Sequence, residues 1–255
     1  MHASFNKSID WAQSDYFTIL HADDVLADGA LARAIDFLDN NLNVLMCYGN
    51  TLEVGNTNRL ETEESRWLCQ FGDDFILKRC QTAQNTVRCV GTVVRTQAQK
   101  QIGYYDSRVT LTTDVEMWLR FAGLGDVAYT TAVQGLFRLH ENNDSAYTRE
   151  RLGPELEELT KAFLIFFEKY EGKGNVQRWR KELMRAVSQR AYWAALAHLT
   201  RGRFRGAAEL FDMSLSSRPY YLIFPPVGYI FKRRDSFMRI FASLRHLLVR
   251  MPRVL

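Results

Sequence analysis

Three short stretches hold residue types and spacings that could do chemistry. His21-Ala22-Asp23-Asp24 follows the mostly apolar run Tyr16-Phe17-Thr18-Ile19-Leu20. A buried strand that ends in adjacent carboxylates directs them out of the C-terminal edge of a sheet, where open α/β sheets bind ligands. Two adjacent acids repel unless water or a cation lies between them. Hard cations such as Mg²⁺ or Mn²⁺ take oxygen ligands and share them with substrate phosphates. The alternative is a solvated turn with one Asp capping the next helix. Asp114 follows Thr112-Thr113 and opens a helical pattern. N-cap is its plain role and general base its sharper one, and the two are compatible. Arg138-Leu139-His140 closes a later apolar run, where a histidine serves either as a hydrogen-bonded structural residue or as a ligand.

Alternating elements must position these groups. Apolar spacing predicts a helix over Phe5–Gln13, a strand over Tyr16–Leu20, and a helix from an Asp28 N-cap with Leu31, Ile35 and Leu38 on one face. Strands are expected at Val44–Tyr48, Thr86–Arg95, Val127–Thr131 and Gly135–Leu139, with Thr51–Val54 pairing across the Gly55–Asn58 turn. Short helices are expected near Asp74–Arg79 and at Thr96–Ile102. A longer one starts at Thr112–Asp114, with Val115, Trp118, Leu119 and Ala122 on one face, and Gly123 and Gly125 end it. The polar stretch Glu141–Ser145 marks a boundary. Beyond it the pattern is helical over about 153–170, 176–200, 204–216 and 235–250, so an α/β body precedes an all-helical region.

The 255 residues, 47% hydrophobic and 24% charged, exclude a disordered, collagen-like or disulfide-scaffold chain. No apolar run reaches a membrane-spanning length, and the first residues lack the apolar core of a secretory signal. Cys47, Cys69, Cys80 and Cys89 form no CxxC pair, which points to reduced thiols and a cytoplasmic location. The net charge of +4 is uneven: residues 220–255 hold seven basic side chains against Asp235 alone, which leaves the first 219 residues at −2. The basicity therefore belongs to the tail and argues for no nucleic-acid partner.

In their order these motifs resemble family 2 glycosyltransferases of the GT-A fold. The run Asn6…Ile9…Ala12…Tyr16–Asp24 carries the resemblance, with Val93-Val94-Arg95, Gly103-Tyr104-Tyr105-Asp106, Asp114–Arg120, and Arg138-Leu139-His140 with Asn143 and Ser145. The resemblance covers about residues 5–146. It implies a partial GT-A (Rossmann-like) α/β domain over 1–146 that lacks the family's first strands. A chain without them is expected to be marginal and inactive alone. It further implies that Asp23 and Asp24 hold a divalent cation (Mn²⁺ or Mg²⁺) on a nucleotide-sugar donor, with His21 standing where many relatives carry Asp. Asp114 matches the base that deprotonates an acceptor hydroxyl in an inverting transfer. His140 matches a position that contacts the metal or the phosphates. The acceptor would be a glycan or a lipid-linked sugar.

Residues 147–219 read as a helical annex. Gly202, Phe204, Ala207, Phe211, Ser214 and Pro219 are spaced like the second helix of a tetratricopeptide hairpin, with Ala191, Ala194, Ala195 and His198 before it. Residues 220–255 pair an apolar stretch with a basic amphipathic pattern of Phe237, Ile240, Phe241, Leu244, Leu247 and Leu248 against Arg239, Arg245 and Arg250. That pattern suits an anionic membrane surface, at the inner face of the membrane, or a terminal helix docked on the body. The rival to an enzyme is a non-catalytic interaction or membrane-tethering module.

Overall fold

The computed structural model describes residues 2–54, 65–138, 152–172 and 175–229. Strand β1 (Tyr16–Phe17) follows helix α1 (His2–Trp11), and β2 (Val25–Leu26) precedes α2 (Ala30–Asp39). Next come β3 (Val44–Glu53), β4 (Trp67–Gln70), α3 (Gly72–Thr82), β5 (Val93–Arg95), α4 (Thr96–Ile102), α5 (Thr113–Leu124) and β6 (Asp126–Phe137). Three helices complete the described chain: α6 (Leu152–Lys169), α7 (Val176–Thr200) and α8 (Phe204–Ser217), with a 3₁₀ turn at Pro219–Leu222. The chain is thus a mixed α/β unit followed by a helical region, as its sequence predicts.

The six strands form one sheet in the order β1-β5-β3-β6-β2, and β4 also pairs with β6. β3 and β6 are parallel; every other pair is antiparallel. Alternation along the strands sends successive side chains to opposite faces. Cys47, Val93 and Ala128 pack with Ala34 and Leu38 of α2. Their neighbours Met46, Tyr48, Val94 and Val127 join Phe75 and Ile76 of α3 and Met117 and Phe121 of α5 on the other face. That second cluster continues into the helical region through Phe163, Phe166, Trp179, Leu183 and Leu210, so one apolar core joins the two parts.

Several boundaries differ from expectation. The run Tyr16–Leu20 pairs only over Tyr16–Phe17; beyond it, Thr18 leaves the ladder and its hydroxyl donates to the Thr92 carbonyl at 2.7 Å. Asp28 does not cap α2, because Gly29 occupies the cap position with φ 69°, a backbone conformation that favours glycine. That helix buries Ala30, Ala34 and Leu38, whereas Leu31 is 40% exposed. Thr51–Glu53 extends β3 and pairs with Gly135–Phe137 rather than across a local turn. Most of Thr86–Ile102 divides into an irregular loop, the short β5 and α4. The two late strands are one, β6, with register shifts against β3 where Gly49 and Asn50 meet Thr130 and Val133. The 55–58 turn, the 141–145 boundary, His140 and the 235–250 helix lie outside the described residues.

A candidate cation and base site

The acidic turn is built from both ends. The Asp24 amide donates to the His21 carbonyl at 3.1 Å and closes a tight turn. Val25 and Leu26 then pair with Leu136 and Gly135, a strand the sequence did not announce. This pairing sets Asp24 beside the end of β6, where the Arg138 amide lies 3.4 Å from Asp24 Oδ1. His21, Asp23 and Asp24 each turn one ligand atom toward a common centre, all within 4.8 Å of one another. His21 Nδ1 stands 3.9 Å from Asp24 Oδ2, too far for a hydrogen bond. His21 Nε2 is buried and has no hydrogen-bond partner. The Phe5 ring of α1 stacks on the imidazole, with centroids 5.6 Å apart and planes 6° apart. Burial pushes the Asp24 carboxyl above its ordinary range, and the neighbouring Asp23 charge adds to that. The Arg138 amide, His21 and Arg88 act in the opposite direction.

Asp114 is held by a separate set of contacts. It lies inside the first turn of α5, not at the cap: Thr112 occupies that position and spends its hydroxyl on the Glu158 carbonyl, 3.0 Å away on α6. Asn85 Nδ2 and the Val115 amide donate to the two carboxylate oxygens of Asp114. Desolvation nevertheless raises its pKa, and the positive field of His21 is among the opposing influences. The acidic turn and Asp114 therefore sit within electrostatic reach of each other. Cys89 lies in the field of both: burial raises its thiol well above the usual value, followed by the charges of Asp114 and Asp24.

Asn85, Arg88 and Cys89 belong to the irregular loop between α3 and β5, where the sequence pattern predicts a strand from Thr86 onward. Gly91 lets that loop cross β6: its φ is +76°, and a Cβ there would come 2.6 Å from Gln134 Cβ. The four cysteines are free thiols. Burial pushes Cys47 up to about 12, which keeps it protonated and inert at neutral pH. A cavity of about 490 Å³ lies elsewhere. It lies among α6, α7 and α8, beside Pro154, His198, Arg203 and Glu209, and touches none of the residues above.

The arrangement can do two things. Two carboxylates and an imidazole, each offering one ligand atom, suit a divalent cation of the Mn²⁺ or Mg²⁺ kind. A desolvated carboxylate nearby suits proton acceptance closer to neutral pH than an ordinary Asp. A search of the curated proteins returns no match for the chain. The profile of glycosyl transferase family 2 matches residues 1–98, a span that contains His21, Asp23, Asp24, Asn85 and Cys89 and stops short of Asp114. Over this segment the chain is similar to glycosyl transferase family 2.

Proposed function

We propose that the chain transfers a sugar from a nucleotide-sugar donor to a hydroxyl of a glycan or lipid-linked acceptor, with inversion at the anomeric carbon. Asp23, Asp24 and His21 hold a divalent cation. The observation that carries this reading is the convergence of their three ligand atoms within 4.8 Å. Bound there, the cation supplies charge neutralisation for the departing nucleoside diphosphate. Asp114 takes the proton of the acceptor hydroxyl as that oxygen attacks the anomeric carbon and the bond to the diphosphate breaks. Its desolvation favours this step by making the carboxylate more basic. Asn85 orients the Asp114 carboxylate through a 2.7 Å bond. His140, by sequence alone, adds a contact to the cation or phosphates. Residues 1–146 carry the chemistry, and residues 147–219 carry a helical annex with a tetratricopeptide-like hairpin.

The test is a Mn²⁺ titration of the full chain followed by electron paramagnetic resonance, without and with UDP or GDP. Saturable binding that one of the nucleotides tightens, and that Asp23→Ala and Asp24→Ala remove, is the expected result. A chain that takes up neither Mn²⁺ nor nucleotide would sink the proposal.

A second reading concerns the tail. Leu222, Ile223 and Phe224 are 69–75% exposed near the end of the described chain, and the sequence turns basic from Lys232 to Arg253. Exposed apolar groups beside cationic ones favour the surface of an anionic bilayer. Among the described residues no helix is long and apolar enough to cross a membrane, so the contact would be peripheral. Co-sedimentation of the full chain with phosphatidylcholine vesicles containing phosphatidylserine tests it. Leu222→Ser with Phe224→Ser is expected to reduce binding, and equal recovery with neutral and anionic vesicles would overturn the reading.

A further inference from the structure

We infer that Lys169 and Glu116 are positioning residues: through them helix α6 fixes the Gly103–Asp106 turn, and that turn in turn fixes the helix on which His21 rests. The inference builds on the cation site proposed above.

Glu116 is fully buried on α5, two residues after Asp114. One of its oxygens accepts from Arg120 at 2.7 and 3.0 Å, and the other from Lys169 Nζ at 2.8 Å. A buried carboxylate persists when its partners satisfy it in this way. The same Arg120 donates to the Tyr104 carbonyl at 2.7 Å and to the Ile102 carbonyl. The same Lys169 reaches Asp106 Oδ2 at 3.1 Å, and Arg108 joins Asp106 to Glu168 on α6. The turn is therefore clamped from α5 below and from α6 at its end.

On its other side the turn holds α1. The Tyr105 amide donates to Asn6 Oδ1 at 2.9 Å, and the Tyr104 hydroxyl to Asp10 Oδ1 at 2.5 Å. The Tyr105 ring packs 5.3 Å from Phe5, which stacks on His21. α1 has ten residues, and Ile9 is its one buried residue. A helix of that length has little stability of its own and takes its position from what grips it. Contact thus runs without a break from Lys169 of the helical region, through the turn and Phe5, to a proposed cation ligand.

The experiment compares wild type, Lys169→Met, Lys169→Arg and Asp106→Asn as full chains, by amide hydrogen exchange and Mn²⁺ titration. In Lys169→Met, faster exchange confined to α1 and the 103–106 turn is expected, with α8 unchanged. Mn²⁺ affinity should drop about tenfold, the usual cost of losing support behind a metal ligand. Lys169→Arg restores both. Wild-type exchange at Tyr105 in Lys169→Met, or acceleration spread equally to α8, overturns the inference. If Lys169→Met does not fold, Asp106→Asn reads the same link from the turn, under the same criteria. If wild type binds no Mn²⁺, the cation reading fails, and the exchange pattern alone decides whether Lys169 positions the turn.

Discussion

Asn85 Nδ2 donates a 2.7 Å hydrogen bond to Asp114 Oδ2, across 29 residues of sequence. A bond to the charged form lowers a carboxyl pKa, and burial raises it. Here burial wins, so the Asp114 pKa lies above the ordinary 3.8. Asn85→Ala removes a lowering influence, so the acid limb of the transfer rate moves to higher pH. A pH profile of kcat/KM for the two proteins checks this. Asp114→Asn lowers transfer by about 10²–10⁴-fold, the usual worth of a general base, while Mn²⁺ and nucleotide binding persist.

Asp114 also makes a prediction about stability. Its folded pKa is above its unfolded one, so the contribution it makes to stability is fully present below pH 3.8 and is lost as pH rises through the folded value. At pH 7 the desolvated charge is a cost. Asp114→Asn should therefore melt at a higher temperature than wild type at pH 7, and this advantage should vanish at pH 3. Calorimetry at the two pH values measures it.

Asp106 has the opposite sign. Hydrogen bonds from Arg108, then the Arg108 amide and Lys169, hold its carboxyl far below 3.8 against the opposing effect of burial. Its contribution is fully present above pH 3.8 and is lost as pH falls toward the depressed folded value. Asp106→Asn should lower the Tm at pH 7 and flatten the decline of Tm below pH 4, as followed by circular dichroism.

Mn²⁺ should stabilise the fold by mass action: about 2.7 kcal/mol at one hundred times its Kd. EDTA should reverse the gain in Tm, and Asp23→Ala with Asp24→Ala should remove it. Thermal melts with and without the metal give the answer independently of turnover.

Gly72 packs where α3 meets the end of α5. A Cβ there would lie 1.8 Å from the Ala122 carbonyl oxygen and 2.6 Å from that of Gly125. Backbone must move to admit it. Gly72→Ala is expected to cost about 1–3 kcal/mol, the usual range for overpacking, measured by denaturant unfolding.

Much of the frame was legible. Thr96–Ile102 and Val176–Thr200 are helices with the bounds their local pattern suggests, because helical periodicity and its end signals are properties of neighbouring residues. The acidic turn was legible for a similar reason: His21, Asp23 and Asp24 are adjacent in sequence, so a local turn suffices to gather their ligand atoms. Strands were less legible. Val127–Thr131 and Gly135–Leu139 read as two because Ala132–Gln134 breaks the apolar run. Pairing with β3, through a register shift, makes them one.

By itself, then, the sequence determined the succession of an α/β part and a helical part, the acidic turn, and the residue types of a cation and base chemistry. These rest on periodicity and on side chains a few positions apart. Tertiary structure alone decided what surrounds them. It set β2 against β6, so that the Arg138 amide meets Asp24 across 114 residues, and it closed Asn6 onto the Tyr105 amide across 99. It also brought Asn85 to Asp114. Contacts over such separations leave no local signature, because they arise only when the sheet and the shared core bring distant segments together.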